Sequence, residues 1–164
     1  MNRDLILACG DAQHGDEGAA LWIARSLRAE FCEPQTEIRV VRSWTPDLAE
    51  EILNSELVVF LSYSPLLSPG EIQLREIRGA AGMLSPSADE PEPEDLIGLA
   101  ARLYQWVPAR SFSMTIGGQS CEFPNRLSPA VRRAVPAALN QIKALLSGVS
   151  VPATPAQLKA AGCS

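Results

Sequence analysis

The sequence contains a single histidine, His14, among 164 residues. A serine hydrolase therefore has one imidazole to draw on, and no GxSxG elbow accompanies it, so neither Ser62 nor Ser64 is expected to act as a nucleophile. Cysteine is also sparse: Cys9, Cys32, Cys121 and Cys163 lie far apart with no CxxC pair. That spacing fits scattered reduced thiols better than a zinc knuckle or a disulfide framework. Cys9, inside an apolar run, reads as packing rather than a reactive thiolate. No apolar stretch approaches the ~20 residues of a membrane span. Arg3 and Asp4 interrupt the first residues, so neither a signal peptide nor a membrane span is expected, and the chain is expected to stay in the cytoplasm. Excess positive charge is missing too. Fourteen Lys and Arg face nineteen Asp and Glu, giving a net charge of −5 and a pI near 4.9. Nucleic acid and anionic membrane surfaces are not expected partners of such a chain.

What the sequence does have is enough apolar material for one soluble domain with a substantial core, at 46% hydrophobic residues. The domain is placed at residues 1–146, followed by a Pro/Ala-rich tail, 147–164, that reads as poorly ordered. Leu5 to Cys9 is short and continuously apolar, as a central strand buried on both faces should be. Ala20, Ile23, Leu27 and Phe31 recur at helical spacing after Gly18. Glu37 to Arg42 carries two arginines and reads as a strand near an edge. Pro46 opens a short helix through Leu53. Leu57 to Leu61 belongs mid-sheet, with Ser62, Tyr63 and Ser64 emerging at its carboxyl end.

Glu71 to Arg75 alternates like a half-exposed edge strand. Ser85 to Asp95 reads as a mobile acidic loop that runs into a helix start, where acids complement the dipole. Leu96, Leu99, Ala100 and Leu103 mark the next helix, and Ser111 to Ile116 alternates as a strand with Phe112, Met114 and Ile116 on one face. Ser128 caps a helix with Pro129 at its first position; a short segment through Val135 is expected, then a second helix starting at Pro136. Strands and helices alternate almost throughout. The expected fold is α/β, a mostly parallel sheet with helices on both faces.

The stretch that stands out for function is Gly10 to Gly18, a glycine-punctuated turn between the first strand and the first helix. Such a turn sits at the carboxyl edge of a sheet, where open α/β folds place their ligand sites. Asp11, Asp16 and Glu17 put three carboxylates in it. They repel phosphate and offer hard oxygen ligands to a cation. The glycine spacing is not GxGxxG, and a pyrophosphate would face these acids, so a dinucleotide site is not expected.

Three segments, in order, resemble the endopeptidases that mature nickel-iron hydrogenases. Gly10 to Ala20 is similar to that family's GNxxxxDDGxG loop, Val58 to Gly70 to its strand and Pro-Gly turn, and Leu127 to Leu139 to its terminal LSPEV...AVP helix. The resemblance implies a three-layer fold with a twisted, mostly parallel five-stranded sheet. It implies an activity that trims the C-terminus of a nickel-loaded hydrogenase large subunit. It also implies a metal site of one acid from the first loop, an aspartate after the third strand and a histidine from a later loop, reading nickel carried by the precursor. The first ligand falls on Glu17. Ser62 occupies the aspartate position, with no acid until Glu71, and the histidine position, between about Ser85 and Pro93, holds none. His14 and Glu17, with Asp89, Glu90 or Glu92 from the acidic loop, offer a nitrogen and oxygen set that suits nickel or zinc in principle. Asp16, His14 and Ser62 are the expected substrate cleft. No catalytic residue is assigned, and no cofactor is expected to be bound by the chain itself. Two functions stay open: an endopeptidase with an altered site, or a non-catalytic module holding a hydrogenase large-subunit precursor or a maturation factor.

Overall fold

A computed structural model describes residues 3–31, 34–78, 91–119 and 126–148. Cys32, Cys121, Cys163, the acids Asp89 and Glu90, and the tail from residue 149 lie outside the described residues. The chain builds β1 (Arg3–Cys9), α1 (Ala19–Glu30), β2 (Thr36–Val41), α2 (Leu48–Glu51), β3 (Ser55–Ser64), β4 (Ile72–Glu76), α3 (Pro93–Tyr104), β5 (Arg110–Gly117) and α4 (Pro129–Leu146). Five strands form one sheet in the order β2-β1-β3-β5-β4. The pairs β1–β2, β1–β3 and β3–β5 are parallel, and β4 runs antiparallel on the outer side of β5.

The strand sequences explain the layering. Leu5, Ile6, Leu7 and Ala8 of β1 are all fully buried, and successive side chains point to opposite faces. Ile6 and Ala8 join Val59, Leu61, Met114 and Ile116 beneath α1 and α4. Leu5 and Leu7 join Val58 and Phe60 beneath α2 and α3. Each aliphatic side chain so removed from water stabilises the fold by about 1.5–3 kcal/mol. Trp44 packs edge-on against Phe60, with ring centroids 5.4 Å apart.

Ion pairs close the rim. Arg3 bonds Glu37 at 2.7 Å, and Arg39 bridges Glu37 and Glu51. Lys143 of α4 pairs with Glu30 of α1, and Arg75 on the edge strand pairs with Glu94 of α3. The expected acidic helix start is a capping box: the Glu92 carboxylate takes the α3 amide three residues on, while Asp95 Oδ2 accepts from Glu92 N at 2.8 Å.

Three expectations change. Sheet pairing carries β3 through Ser64, because Ser62, Tyr63 and Ser64 pair with Thr115, Ile116 and Gly117. The helix after Pro46 shrinks to Leu48–Glu51. Pro136 does not break the chain into two helices but lies inside the single helix α4. Val131, Ala134, Ala138, Leu139, Ile142 and Leu145 form one buried stripe through it, while Pro136 and Arg132 are exposed. Proline deprives the Arg132 carbonyl of its helical donor, and on the wet face water can replace it.

Candidate functional site

The turn after β1 is held by its own backbone. Asp11 N donates to Glu17 O at 3.2 Å, and a Cβ at Gly10 would lie 2.3 Å from that same carbonyl, so glycine alone lets the turn close. Asp11 Oδ1 accepts from Gln13 N at 2.9 Å and caps the first of two consecutive 3₁₀ turns, Ala12–His14 and Asp16–Gly18. Gly15 joins them at φ 64°, ψ −120°, a conformation that side chains resist.

A 3₁₀ turn rotates about 120° per residue, which sends neighbouring side chains in different directions. Asp16 points inward and is only 1% exposed. Its Oδ2 accepts from Gln119 N at 2.8 Å and its Oδ1 from Ser128 N at 2.7 Å. The carboxylate thus ties the first loop to the exit of β5 and to the cap of α4. Gly118 is its steric counterpart, because a Cβ there would come within 2.5 Å of Asp16 Cβ. Ser128 in turn caps α4, its Oγ 3.5 Å from Val131 N. The Pro69-Gly70 turn locks against the same place: Gly70 N bonds Gly117 O at 2.9 Å, and a Cβ on Gly70 would meet Ala130 O at 2.7 Å.

His14 and Glu17 point the other way. His14 Nδ1 lies 3.2 Å from Asp11 Oδ2 and 3.9 Å from Glu17 Oε2, with the His14 side chain 54% exposed. The Gln13 amide first, and the His14 ring after it, hold the Asp11 carboxyl below its ordinary range. The structure therefore groups the half-buried Asp11 and Glu17 with the exposed His14 on one side of the turn and separates them from Asp16, which is buried.

Ser62 sits on the sheet face that carries α3, its Oγ 3.4 Å from Thr115 Oγ1. That face is polar here because β5 turns Ser113 and Thr115 toward it while its apolar residues fill the opposite core. The result is a cavity of about 490 Å³ that Ser62 lines together with Trp44, Tyr63, Arg75 and Glu92. Asp16 belongs to a different cavity, of about 370 Å³, with Gln119, Arg126, Leu127, Pro129 and Arg132. Of the three expected cleft residues, Asp16 and Ser62 thus line separate cavities, and His14 lines neither. Glu92 shares a cavity with Ser62, but its carboxylate is engaged in capping α3. Among the described residues, no three His, Cys, Asp or Glu side chains converge in a way that would hold a metal ion. Sequence reasoning missed the pairing of Asp16 with Gly118 and the arginines beside it. The one available signal was Gly117-Gly118 at the end of a well-formed strand, where a small residue permits close approach.

No protein-family model and no curated protein matches the sequence. Solved structures do match. The hydrogenase maturating endopeptidase HybD from E. coli superposes with a TM-score of 0.68 at 20% identity, covering 89% of this chain and 93% of that one. The [NiFe] hydrogenase maturation protease HybD from Thermococcus kodakarensis gives 0.64 at 23% identity, over 87% of this chain and 98% of its own. HycI, a [NiFe] hydrogenase maturation protease from the same organism, gives 0.65 at 13% identity, over 88% and 92%. The fold is the α/β fold of hydrogenase maturation proteases, with one antiparallel strand pair in an otherwise parallel five-stranded sheet.

Proposed function

We propose that this protein is a divergent homologue of the hydrogenase maturation endopeptidases that holds a hydrogenase large-subunit precursor at the carboxyl edge of its sheet without trimming it. One observation carries this reading. The chain has the fold of these proteases and a Glu17-bearing turn, but its strand end offers the neutral hydroxyl of Ser62, 3.4 Å from Thr115 Oγ1, where the sequence resemblance implies an acid. A hydroxyl is a weak ligand for a divalent ion and brings no charge. Nickel in this reading is part of the substrate. The donor set fits poorly with a three-ligand grip on it: Glu17 is one carboxylate, Ser62 is neutral, and the sole histidine lies in the same turn as Glu17. What the chain's own residues supply is a rigid frame, a half-buried carboxylate at Glu17 and a hydroxyl-lined cavity at the end of β3.

A catalytic version draws on one observation, the proximity of Asp11 and Glu17 to His14. Both readings meet in one experiment. The protein is mixed with the nickel-loaded large-subunit precursor from its own genome, complex formation is followed by co-elution, and the precursor's mass is read by mass spectrometry. Binding without loss of a C-terminal peptide is expected, weakened by Glu17→Gln. Release of the peptide would overturn the non-catalytic reading, and absence of any complex would overturn the assignment of the partner. Calorimetry with Ni²⁺ alone separates the versions further, since heat abolished by Glu17→Gln would support a rebuilt metal grip.

A further inference from the structure

The smaller cavity, about 370 Å³, carries a charge arrangement that the proposed function does not use. Arg126 and Arg132 both line it. Neither has an ion-pair partner among the described residues, as is also true of exposed arginines such as Arg102 and Arg133. What sets these two exposed arginines apart is that both line one cavity, in a chain of net charge −5. At the start of α4, Pro129 has no N–H, the Val131 amide is taken by Ser128 Oγ and the Ser128 amide by Asp16, which leaves the Ala130 amide beside the two arginines. Most of the positive character comes from the two side chains.

The balance of charge selects the ligand. Asp16 lies on the same wall, its two oxygens occupied by the Gln119 and Ser128 amides, so its single negative charge offsets one arginine. Among the described lining residues one net positive charge remains, which matches a monoanion. Guanidinium groups meet carboxylates in planar, forked hydrogen bonds. A phosphate monoester, carrying about 1.5–2 negative charges, would overshoot that balance and face Asp16. Leu127 and Pro129 complete the wall with apolar surface suited to a side chain next to the anion. We infer that this cavity binds the C-terminal carboxylate of a peptide chain, with Arg126 and Arg132 holding the carboxylate and Leu127 and Pro129 receiving the last side chain. Only the identity of the natural chain, the large-subunit precursor, rests on the proposed function.

The probe is a tripeptide of alanine, alanine and leucine carrying a dye on its amino end, made with a free C-terminal acid or with a C-terminal amide and followed by fluorescence anisotropy on the full chain. The acid is expected to bind about tenfold more tightly than the amide, and Arg126→Gln or Arg132→Gln should remove about that tenfold preference. Arg133→Gln, an exposed neighbour that does not line the cavity, should leave it intact. Equal binding of acid and amide, an equal effect of Arg133→Gln, or displacement by inorganic phosphate at lower concentration than by acetate would overturn the inference. The two readings fail separately: a chain that prefers the acid but captures no precursor loses only the assigned partner, and one that captures precursor but shows no acid preference loses only this site.

Discussion

Removing the Asp16 carboxylate tests whether this residue is a structural tie rather than a ligand. Each hydrogen bond to a charged acceptor contributes about 1.5–3 kcal/mol. Asp16 accepts two from backbone amides, at 2.8 and 2.7 Å. Gln119 is exposed, so water recovers part of its lost bond, while Ser128 is half-buried. Asp16→Ala should therefore cost about 2–4 kcal/mol. For a domain of this size each kcal/mol lowers the thermal midpoint by about 2–4 °C, which puts the expected drop near 10 °C. Asp16→Asn keeps one acceptor but must turn its NH₂ toward a backbone N–H, so roughly half that loss is expected. Gly118→Ala attacks the same tie from the other side, because its new Cβ would lie 2.9 Å from Asp16 Oδ2. The assay is urea and thermal unfolding followed by circular dichroism on the single and double variants. Asp16→Ala removes the contacts with Oδ2 and Cγ but keeps the Cβ 2.5 Å away, so the methyl at position 118 should cost less than in the parent without becoming neutral, giving a partly non-additive pair. A midpoint for Asp16→Ala within about 2 °C of the parent, or strictly additive losses, would refute the reasoning.

Two further outcomes are expected. Pro136→Ala restores an amide donor to the exposed Arg132 carbonyl in the middle of α4 and should stabilise the protein by about 1–2 kcal/mol in urea unfolding; no gain would show that the helix is interrupted there after all. Burial, opposed in part by Arg110, pushes the Asp4 carboxyl above its ordinary value of 3.8. A raised carboxyl pKa makes the charged form a cost to the folded state above that pKa, and the cost vanishes once both states are protonated. Asp4→Asn should accordingly raise the thermal midpoint at about pH 7 and not at about pH 3, and an equal gain at both values would point to packing instead of charge.

Much of the fold is legible because hydrophobic pattern and burial are tied to the same side chains. The continuous runs of β1 and β3 announce strands buried on both faces, and the alternation of β5 announces one apolar face. The helical stripes of α1 and α3 and the Ser128 cap of α4 lie where the spacing placed them. Pro136 misleads because a proline in sequence carries no information about whether its side of the helix faces water. The site is harder to read. Asp16 and Glu17 are adjacent carboxylates with the same chemistry, and only the rotation of a 3₁₀ turn sends one into two backbone amides and the other to the surface. Arg126 and Arg132 share a cavity because α4 starts against the first loop, a juxtaposition more than a hundred residues long-range in the chain.

By itself the sequence determined the layered α/β architecture, the glycine-framed acidic turn and the presence of a hydroxyl at Ser62, since composition and periodicity are local properties. Tertiary structure alone decided which acids are consumed and which remain available. Hydrogen-bond partners such as the Gln119 and Ser128 amides are brought to Asp16 by strand order and helix docking, not by anything written near residue 16.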